Sequence, residues 1–178
     1  KSVFKPGQRY NLRDTGSGHD RIFKARTQDS RDIETLILEF EFIADMNYER
    51  YGAGHITDGE YVYAFCGGGE TTKHTHGERY DPNTGNWEIF VENLIPRRYT
   101  NAEYVNGNIY LFNGDTYTSS TYTDTVEIIN TSTGVVSYSA TNPYPVEYGG
   151  SAVWNGKFYL FGGSNNDGYS NRLYEFDP

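Results

Sequence analysis

The sequence has only one cysteine, Cys66, and few basic residues. One cysteine cannot form a disulfide within the chain. The 15 Lys and Arg face 24 Asp and Glu, for a formal net charge of −9, and the basic residues form no patch beyond Arg97-Arg98. Nucleic-acid binding needs clustered Lys and Arg, so we expect no nucleic-acid partner. No apolar run reaches the length of about 18 residues that a membrane span needs.

Catalytic and cofactor signatures are also missing. The sequence contains no Gly-x-Ser-x-Gly, P-loop or Cys-x-x-Cys motif, so it indicates no catalytic residue and no cofactor. His74-Thr-His76 would place two imidazoles on one side of an extended segment. A third ligand at a suitable spacing is lacking, so we assign no metal site and leave metal binding by these two histidines open.

Aromatic residues and glycine-containing turns are abundant, with 17 Tyr, 10 Phe and 20 Gly. In the stretch 106–114, an Asn-Gly turn leads into Ile109-Tyr-Leu-Phe112, and a partner strand precedes the turn. Asn-Gly between two apolar runs predicts a β-hairpin, because both central residues of a type I′ turn need positive φ. The same unit recurs at Asp58-Gly59 and Asn155-Gly156, so the turn glycines are 48 and 49 residues apart.

Each unit extends into a pattern of four strands, called a to d. The predicted strands are a at 52–57, 100–105 and 150–154; b at 61–66, 109–112 and 158–161; c at 77–80, 125–129 and 172–176; and d at 86–91 and 135–140. The b strands are almost continuously apolar, which is typical of strands covered on both faces. A repeat of four short strands with both faces covered describes an all-β fold of β-propeller blades. A sandwich or barrel of hairpins is the alternative, but it does not explain the fixed period.

The motifs resemble the Kelch repeat. Its pattern is a glycine pair closing strand b, an aromatic residue before an Asp-Pro turn, and then Trp. The first unit has Gly67-Gly68, Tyr80-Asp81-Pro82 and Trp87, and the third has Gly162-Gly163 and Phe176-Asp177-Pro178. The second departs from the pattern, with Asn113-Gly114, Ile129 and Val136 at these places. The resemblance covers residues 48–178.

Domain boundaries follow from the repeats. We expect an N-terminal segment over 1–47 and Kelch-like repeats over 48–178, divided as 48–96, 97–146 and a truncated 147–178. Residues 33–44 fit a strand better than a helix, as part of a degenerate blade. Propellers have about four to eight blades, so we expect an incomplete propeller; the alternative is a small ring that residues 1–5 close. The chain opens at Lys1 without a signal peptide, which indicates a mature or excised piece.

Binding residues are expected where the resemblance places the b–c and d–a loops, on one face of the propeller. Tyrosine suits both protein hot spots and sugar stacking, while Tyr, Asn and Thr can also be ordinary solvated loop residues. Arginine before strand a is commonly structural, but it can also bind a ligand. The candidate binding residues are Arg97, Arg98, Tyr99, Tyr117, Tyr122, Tyr144, Tyr148, Asn165, Asp167 and Tyr169.

The function that follows is a non-catalytic interaction module. Its expected partner is a protein or the remaining blades of a larger propeller. The resemblance also includes sugar mutarotases and oxidases, so a carbohydrate-binding or carbohydrate-active propeller is the alternative. The Lys-poor, Asn-, Thr- and Tyr-rich composition favours an extracellular or periplasmic protein. This expectation rests on composition alone and not on a targeting motif.

Overall fold

The structure is a computed structural model, and it describes residues 41–69, 71–117 and 121–178. The chain divides into two compact units, 1–43 and 44–178, and the strands of the described residues all lie in the second. The described residues form twelve strands and no helix: β1 (Gly54–Thr57), β2 (Val62–Phe65), β3 (Gly77–Asp81), β4 (Asn86–Val91), β5 (Asn101–Val105), β6 (Asn108–Phe112), β7 (Thr125–Asn130), β8 (Val136–Thr141), β9 (Glu147–Trp154), β10 (Lys157–Asn165), β11 (Gly168–Tyr169) and β12 (Leu173–Phe176).

These strands form three antiparallel sheets. Two have the simple orders β1-β2-β3-β4 and β5-β6-β7-β8. In the third, β10 pairs with β9, β12 and the short β11. The predicted strands a to d are confirmed in the first two sheets, and a to c in the third, with ends shifted by a few residues. The sequence did not predict β11. In the described part of the chain, no helix is long and apolar enough to cross a membrane.

Two of the three hairpin turns have the predicted form. Val105 pairs with Asn108, and the two residues between them, Asn106 and Gly107, have φ of 50° and 78°. Asn155 and Gly156 repeat this geometry with 50° and 77°. The Asp58-Gly59 turn differs, because Thr57 pairs with Val62 and leaves a four-residue loop. The prediction of a two-residue type I′ turn was therefore wrong there.

The middle sheet is covered on both faces. Ile109 and Leu111 of β6 pack in one cluster with Tyr63 and Phe65 of the first sheet. Their neighbours Tyr110 and Phe112 pack with Phe158 and Leu160 of the third sheet. Successive strand residues point to opposite faces, so a strand between two sheets must be apolar at every position. Three side-by-side sheets of this kind are blades of an incomplete β-propeller, and the two-layer sandwich is excluded for this unit.

Glycine is required where each b strand ends. Gly67, Gly114 and Gly163 have φ of 76°, 105° and 84°. A Cβ at these positions would lie 2.7, 2.9 and 2.7 Å from the carbonyl oxygens of Tyr51, Arg98 and Glu147 respectively. Only glycine combines left-handed φ with so close a backbone approach. These glycines hold the chain entering strand a against the end of strand b.

Two buried ion pairs tie the same chain entries to strand c. Arg97 Nη2 lies 2.7 Å from Glu127 Oε2, and both side chains are completely buried. Arg50 and Glu78 make the equivalent pair in the first sheet. Burial lowers the pKa of Arg97 and raises that of Glu127, with the opposite charge of each partner acting against the shift. The pairing of β10 with β12 places Tyr174 where the other sheets have glutamate.

The strand pairing decides how the repeats align with one another. Counting from the turn glycines aligns Arg50 with Arg98, each nine residues ahead. The strand pairing aligns Gly54 with Asn101, since both lie opposite the last residue of strand b, and so aligns Arg50 with Arg97. Gly59 therefore corresponds to Asn106 rather than Gly107. In the third sheet, Val146 stands at the position of Arg97. The Val146 carbonyl accepts a hydrogen bond from the Gly114 N–H, just as the Arg97 carbonyl accepts one from the Gly67 N–H.

The predictions for the N-terminal part lie largely outside the described residues. This applies to the strand over 33–40, to the degenerate blade and to closure of a ring by residues 1–5. Residues 41–44 are described and are not in a strand.

Removing one member of the buried pair should be costly. Arg97→Ala leaves Glu127 buried without a counter-charge, and we expect it to lower the free energy of unfolding by about 3–5 kcal/mol in urea denaturation. The double variant Arg97→Val with Glu127→Tyr, which copies the third sheet, should recover much of the loss. Lys157→Ala, which breaks an exposed pair with Glu175, is the control and should have a much smaller effect. A single variant as stable as wild type would contradict the role assigned to this pair.

Candidate functional site

The candidate site lies at the end of the sheets where strand b leads to strand c and strand d leads to the next strand a. The antiparallel order places both kinds of loop at this end and the a–b and c–d turns at the other. Among the first strands, β5 lies beside both β1 and β9. The residues that enter these strands therefore meet.

Four tyrosines gather around one arginine at this end. Arg98 Cζ lies 5.9, 5.2 and 5.0 Å from the ring centres of Tyr51, Tyr99 and Tyr117. The Tyr148 ring lies against the Tyr99 ring, with the ring centres 4.1 Å apart and the planes tilted by 30°. A guanidinium over an aromatic ring is held by the negative ring face. We call Tyr51, Arg98, Tyr99, Tyr117 and Tyr148 the tyrosine cluster.

The repeat relates four of these five residues in pairs, Tyr51 with Arg98 and Tyr99 with Tyr148. Arg98 and Asp115 exchange backbone hydrogen bonds of 3.0 Å, and Tyr51 and Gly68 make the same exchange in the first sheet. The pairing of Glu147 with Ser164 continues the series in the third sheet. Tyr99 and Tyr148 each come one residue later. Successive repeats therefore bring these side chains together.

The backbone of the cluster is held in an unusual conformation. Tyr99, Tyr117 and Tyr148 have φ of 55°, 64° and 56°. This left-handed region costs about 1–2 kcal/mol for a residue with a Cβ. Such positions concentrate at functional sites, where the surrounding structure holds them. Tyr99 is held by its N–H, which donates a 2.6 Å hydrogen bond to the carbonyl of Gly52.

Hydrogen bonds fix the arginine at the centre. Arg98 donates from Nε to Asp115 Oδ2 at 2.8 Å and from Nη1 to the Tyr51 hydroxyl at 2.8 Å. The bond to Asp115 raises the pKa of Arg98, and burial acts against this shift. Burial and the negative charge of Asp115 raise the pKa of Glu147, whereas Arg98 lowers it. Arg98 pairs with Asp115 and only partly offsets the charge of Glu147.

The sequence is similar to a known motif and to known proteins. A family profile described as the Kelch motif matches residues 148–178. The chain is 26% identical over 144 residues to Kelch repeat and BTB domain-containing protein 1 of Camelpox virus (strain CMS), with 76% of this chain and 25% of the relative covered. The protein of the same description from Cowpox virus (strain Brighton Red) matches with the same identity and coverage.

The third sheet carries the matched Kelch motif. The resemblance read from the glycine pairs and the Asp-Pro turns is confirmed, and so is the fold, an incomplete Kelch-type β-propeller. The chain spans about a quarter of the length of the two viral relatives.

The three sheets bring together only part of the predicted binding set. Arg98, Tyr99, Tyr117 and Tyr148 belong to the tyrosine cluster. Tyr122 bridges to Asp115 beside it. Arg97 is completely buried and bonded to Glu127, so we do not include it in the surface.

The remaining predicted residues form a second group in the third sheet. The Tyr144 hydroxyl lies 3.3 Å from Asn165 Oδ1, and Arg172 Cζ lies 4.0 Å from the Tyr144 ring centre. Asp167 N donates to Asn165 Oδ1 at 2.9 Å. Tyr169 on β11 is 98% exposed. Among the described residues, no hydrogen bond, ion pair or ring contact joins this group to the tyrosine cluster.

Sequence reasoning missed one member of the cluster and two carboxylates beside it. Tyr51, Asp115 and Glu147 were absent from the predicted set. Alignment on the strand pairs, rather than on the turn glycines, would have found Tyr51 and Glu147 as the equivalents of Arg98. The sequence contains these equivalences, but they can be recognised only with the correct register of the strand pairs.

The two histidines make other contacts. A His74 ring nitrogen lies 3.0 Å from the Glu49 carbonyl, and His76 Nε2 lies 3.0 Å from Arg50. Burial, followed by the charge of Arg50, lowers the pKa of His76. Within residues 41–69, 71–117 and 121–178, no group of three His, Cys, Asp or Glu is placed to hold a metal ion.

The strained backbone at Tyr148 can be tested with a pair of substitutions. Tyr148→Gly should be more stable than Tyr148→Ala by about 1 kcal/mol, because alanine has a Cβ that disfavours the left-handed φ. Tyr138 in β8 has the same exposure of 61%, and there the order should reverse, since glycine weakens a strand. Urea unfolding of the four variants measures both differences. Equal stability of the Tyr148→Gly and Tyr148→Ala variants would show that the backbone is not strained there.

The Tyr117 hydroxyl is buried against Gly68 and has no hydrogen-bond partner among the described residues. Burial raises the pKa of Tyr117 to about 12. We expect Tyr117→Phe to change the free energy of unfolding by less than about 0.5 kcal/mol, since no bond is lost. Tyr63→Phe removes a 2.7 Å bond to Asp58 and should cost about 1–2 kcal/mol in the same assay. A larger loss for Tyr117→Phe would indicate a partner for this hydroxyl.

Proposed function

We propose that the chain is a non-catalytic Kelch-type interaction module that binds a protein partner through the tyrosine cluster and the b–c and d–a loops around it. The observation that carries this proposal is the exposed aromatic cluster built from equivalent positions of three repeats. Tyr51 and Tyr148 are 45% and 61% exposed at its rim. Tyrosine and arginine are among the side chains that most often dominate protein–protein binding energy.

The rigidity of the cluster supports the same role. Its tyrosines are ordered by their ring contacts and by the hydrogen bond from Arg98 to the Tyr51 hydroxyl. Side chains that are already ordered lose less entropy when a partner binds. A surface of this kind is prepared for binding before the partner arrives.

The second group would widen the contact. Tyr144 and Asp167 lie on loops of the third sheet, while Asn165 ends β10 and Tyr169 ends β11. We propose all four as additional binding residues at the edge of the surface. We propose the domain division at 48–96, 97–146 and 147–178 on the same repeat pattern. Further blades of a longer chain are the other partner that these repeats can accept.

The proposal predicts a selective loss of binding. The intact chain, immobilised as bait, should retain a protein partner from an extract, and the double variant Tyr51→Ala with Tyr148→Ala should retain about tenfold less, since it removes two hot-spot side chains. Quantitative mass spectrometry of the retained proteins measures the difference.

The matched control is Tyr138→Ala, which removes a tyrosine of the same 61% exposure from the outer strand β8. It should retain the partner fully. Equal retention by the double variant and the control would contradict the proposed surface. Saturable binding of a free monosaccharide, measured by calorimetry, would contradict a protein-only role.

A further inference from the structure

We infer that the partner presents a basic side chain, arginine or lysine, to the tyrosine cluster, where it seats on the Tyr148 ring beside Glu147. This inference rests on the proposed function and adds the chemistry of the partner. Two observations carry it: the charge of the Kelch unit and the contacts that its own basic residues make.

The unit is strongly acidic. Residues 41–178 contain 7 Lys and Arg against 18 Asp and Glu, a formal net charge of −11. The net charge of the whole chain is only −9, because the first 40 residues carry a surplus of basic residues. A surface with this excess attracts cations and repels anions over a distance of about 10 Å at ordinary salt.

The basic residues of this unit are already engaged. Five of the seven form ion pairs with carboxylates, and the other two lie against tyrosine rings. The pairs are Arg50–Glu78, Arg79–Glu88, Arg97–Glu127, Arg98–Asp115 and Lys157–Glu175, and the ring contacts are Lys73 over Tyr117 and Arg172 over Tyr144.

Tyrosine rings hold cations repeatedly at this end of the unit. Arg98 contacts three rings of the tyrosine cluster, and Lys73 Nζ lies 5.4 Å from the centre of the Tyr117 ring. Tyr148 belongs to the same cluster, but no basic residue of the described chain lies over its ring. A cation there would gain the ring interaction that the unit already uses.

Glu147 supplies the charge for such a cation. It precedes Tyr148 and makes no ion pair with a residue of the described chain. Burial and the neighbouring Asp115 raise its pKa, so its negative charge is poorly compensated. An incoming guanidinium or ammonium would relieve the repulsion between the two carboxylates.

An acidic or phosphorylated partner fits less well. The donors of Arg98 already bind Asp115 and the Tyr51 hydroxyl. An incoming anion would have to compete with Asp115 for the guanidinium and would meet Glu147 beside it. The structure therefore favours a basic segment.

Peptides of one design test the inference. The intact chain, labelled with carbon-13 on its tyrosines, is titrated with acetylated, amidated Gly-Ser heptapeptides that carry arginine, lysine, glutamate or phosphoserine at the centre. We expect the arginine and lysine peptides to shift the Tyr148 and Tyr99 ring signals in nuclear magnetic resonance spectra, and the other two to shift neither. Raising the salt concentration should weaken the effect.

Two pairs of variants sharpen the test. Glu147→Gln should weaken binding of the arginine peptide about fivefold, the effect of one unit charge about 4 Å away in water. The same change at Glu60, exposed on the a–b turn at the opposite end, should have no effect. Tyr148→Phe keeps the ring and should retain binding, whereas Tyr148→Leu should lose it.

The outcomes separate this inference from the proposed function. Binding of the glutamate or phosphoserine peptide in preference to the arginine peptide would overturn the inference, and so would an unchanged affinity in Glu147→Gln. The proposed function would still stand if the captured protein is lost on Tyr51→Ala with Tyr148→Ala. Equal capture of the partner by the unchanged chain and by that double variant would overturn the proposed function itself.

Discussion

The burial of one strand between two neighbouring sheets is the constraint on which this unit depends. Alternate residues of β6 face opposite ways, and each face is sealed by aromatic side chains of another sheet. Such burial contributes about 1.5–3 kcal/mol for each large apolar side chain. The sheets must therefore stand side by side as blades, and their connecting loops must collect at the two ends.

Backbone contacts and buried charges then determine where those loops lie. In the first two blades, an arginine before strand a reaches a glutamate on strand c, and a glycine at the end of strand b lets the two chain segments approach closely. The third blade keeps the glycine but has Val146 and Tyr174 in place of the charges. An apolar pair can replace a buried ion pair because it avoids the cost of removing two charges from water.

The tyrosine cluster is a product of this repeated geometry. Each blade contributes the residues that enter its first strand, so side chains about 47–49 residues apart in sequence become neighbours in space. The left-handed tyrosines are tolerated because the blade contacts hold them, and a rigid aromatic surface is the result. Recognition of a partner would then depend on the blade scaffold as much as on the loop residues themselves.

The sequence by itself determined the blade pattern. Hairpin turns at a regular period, apolar b strands and the glycine-containing strand ends are local signals, and they predicted the strands and the Kelch-type fold. It also indicated Arg98, Tyr99, Tyr117 and Tyr148 as surface residues. Only the tertiary structure decided that Arg97 is a buried partner of Glu127 while the adjacent Arg98 faces the tyrosines, because side-chain direction depends on the register of strand pairing. A one-residue difference in the first turn hides this register in the sequence. The same register decided that Tyr51 belongs to the cluster and that Asp115 and Glu147 lie beside it.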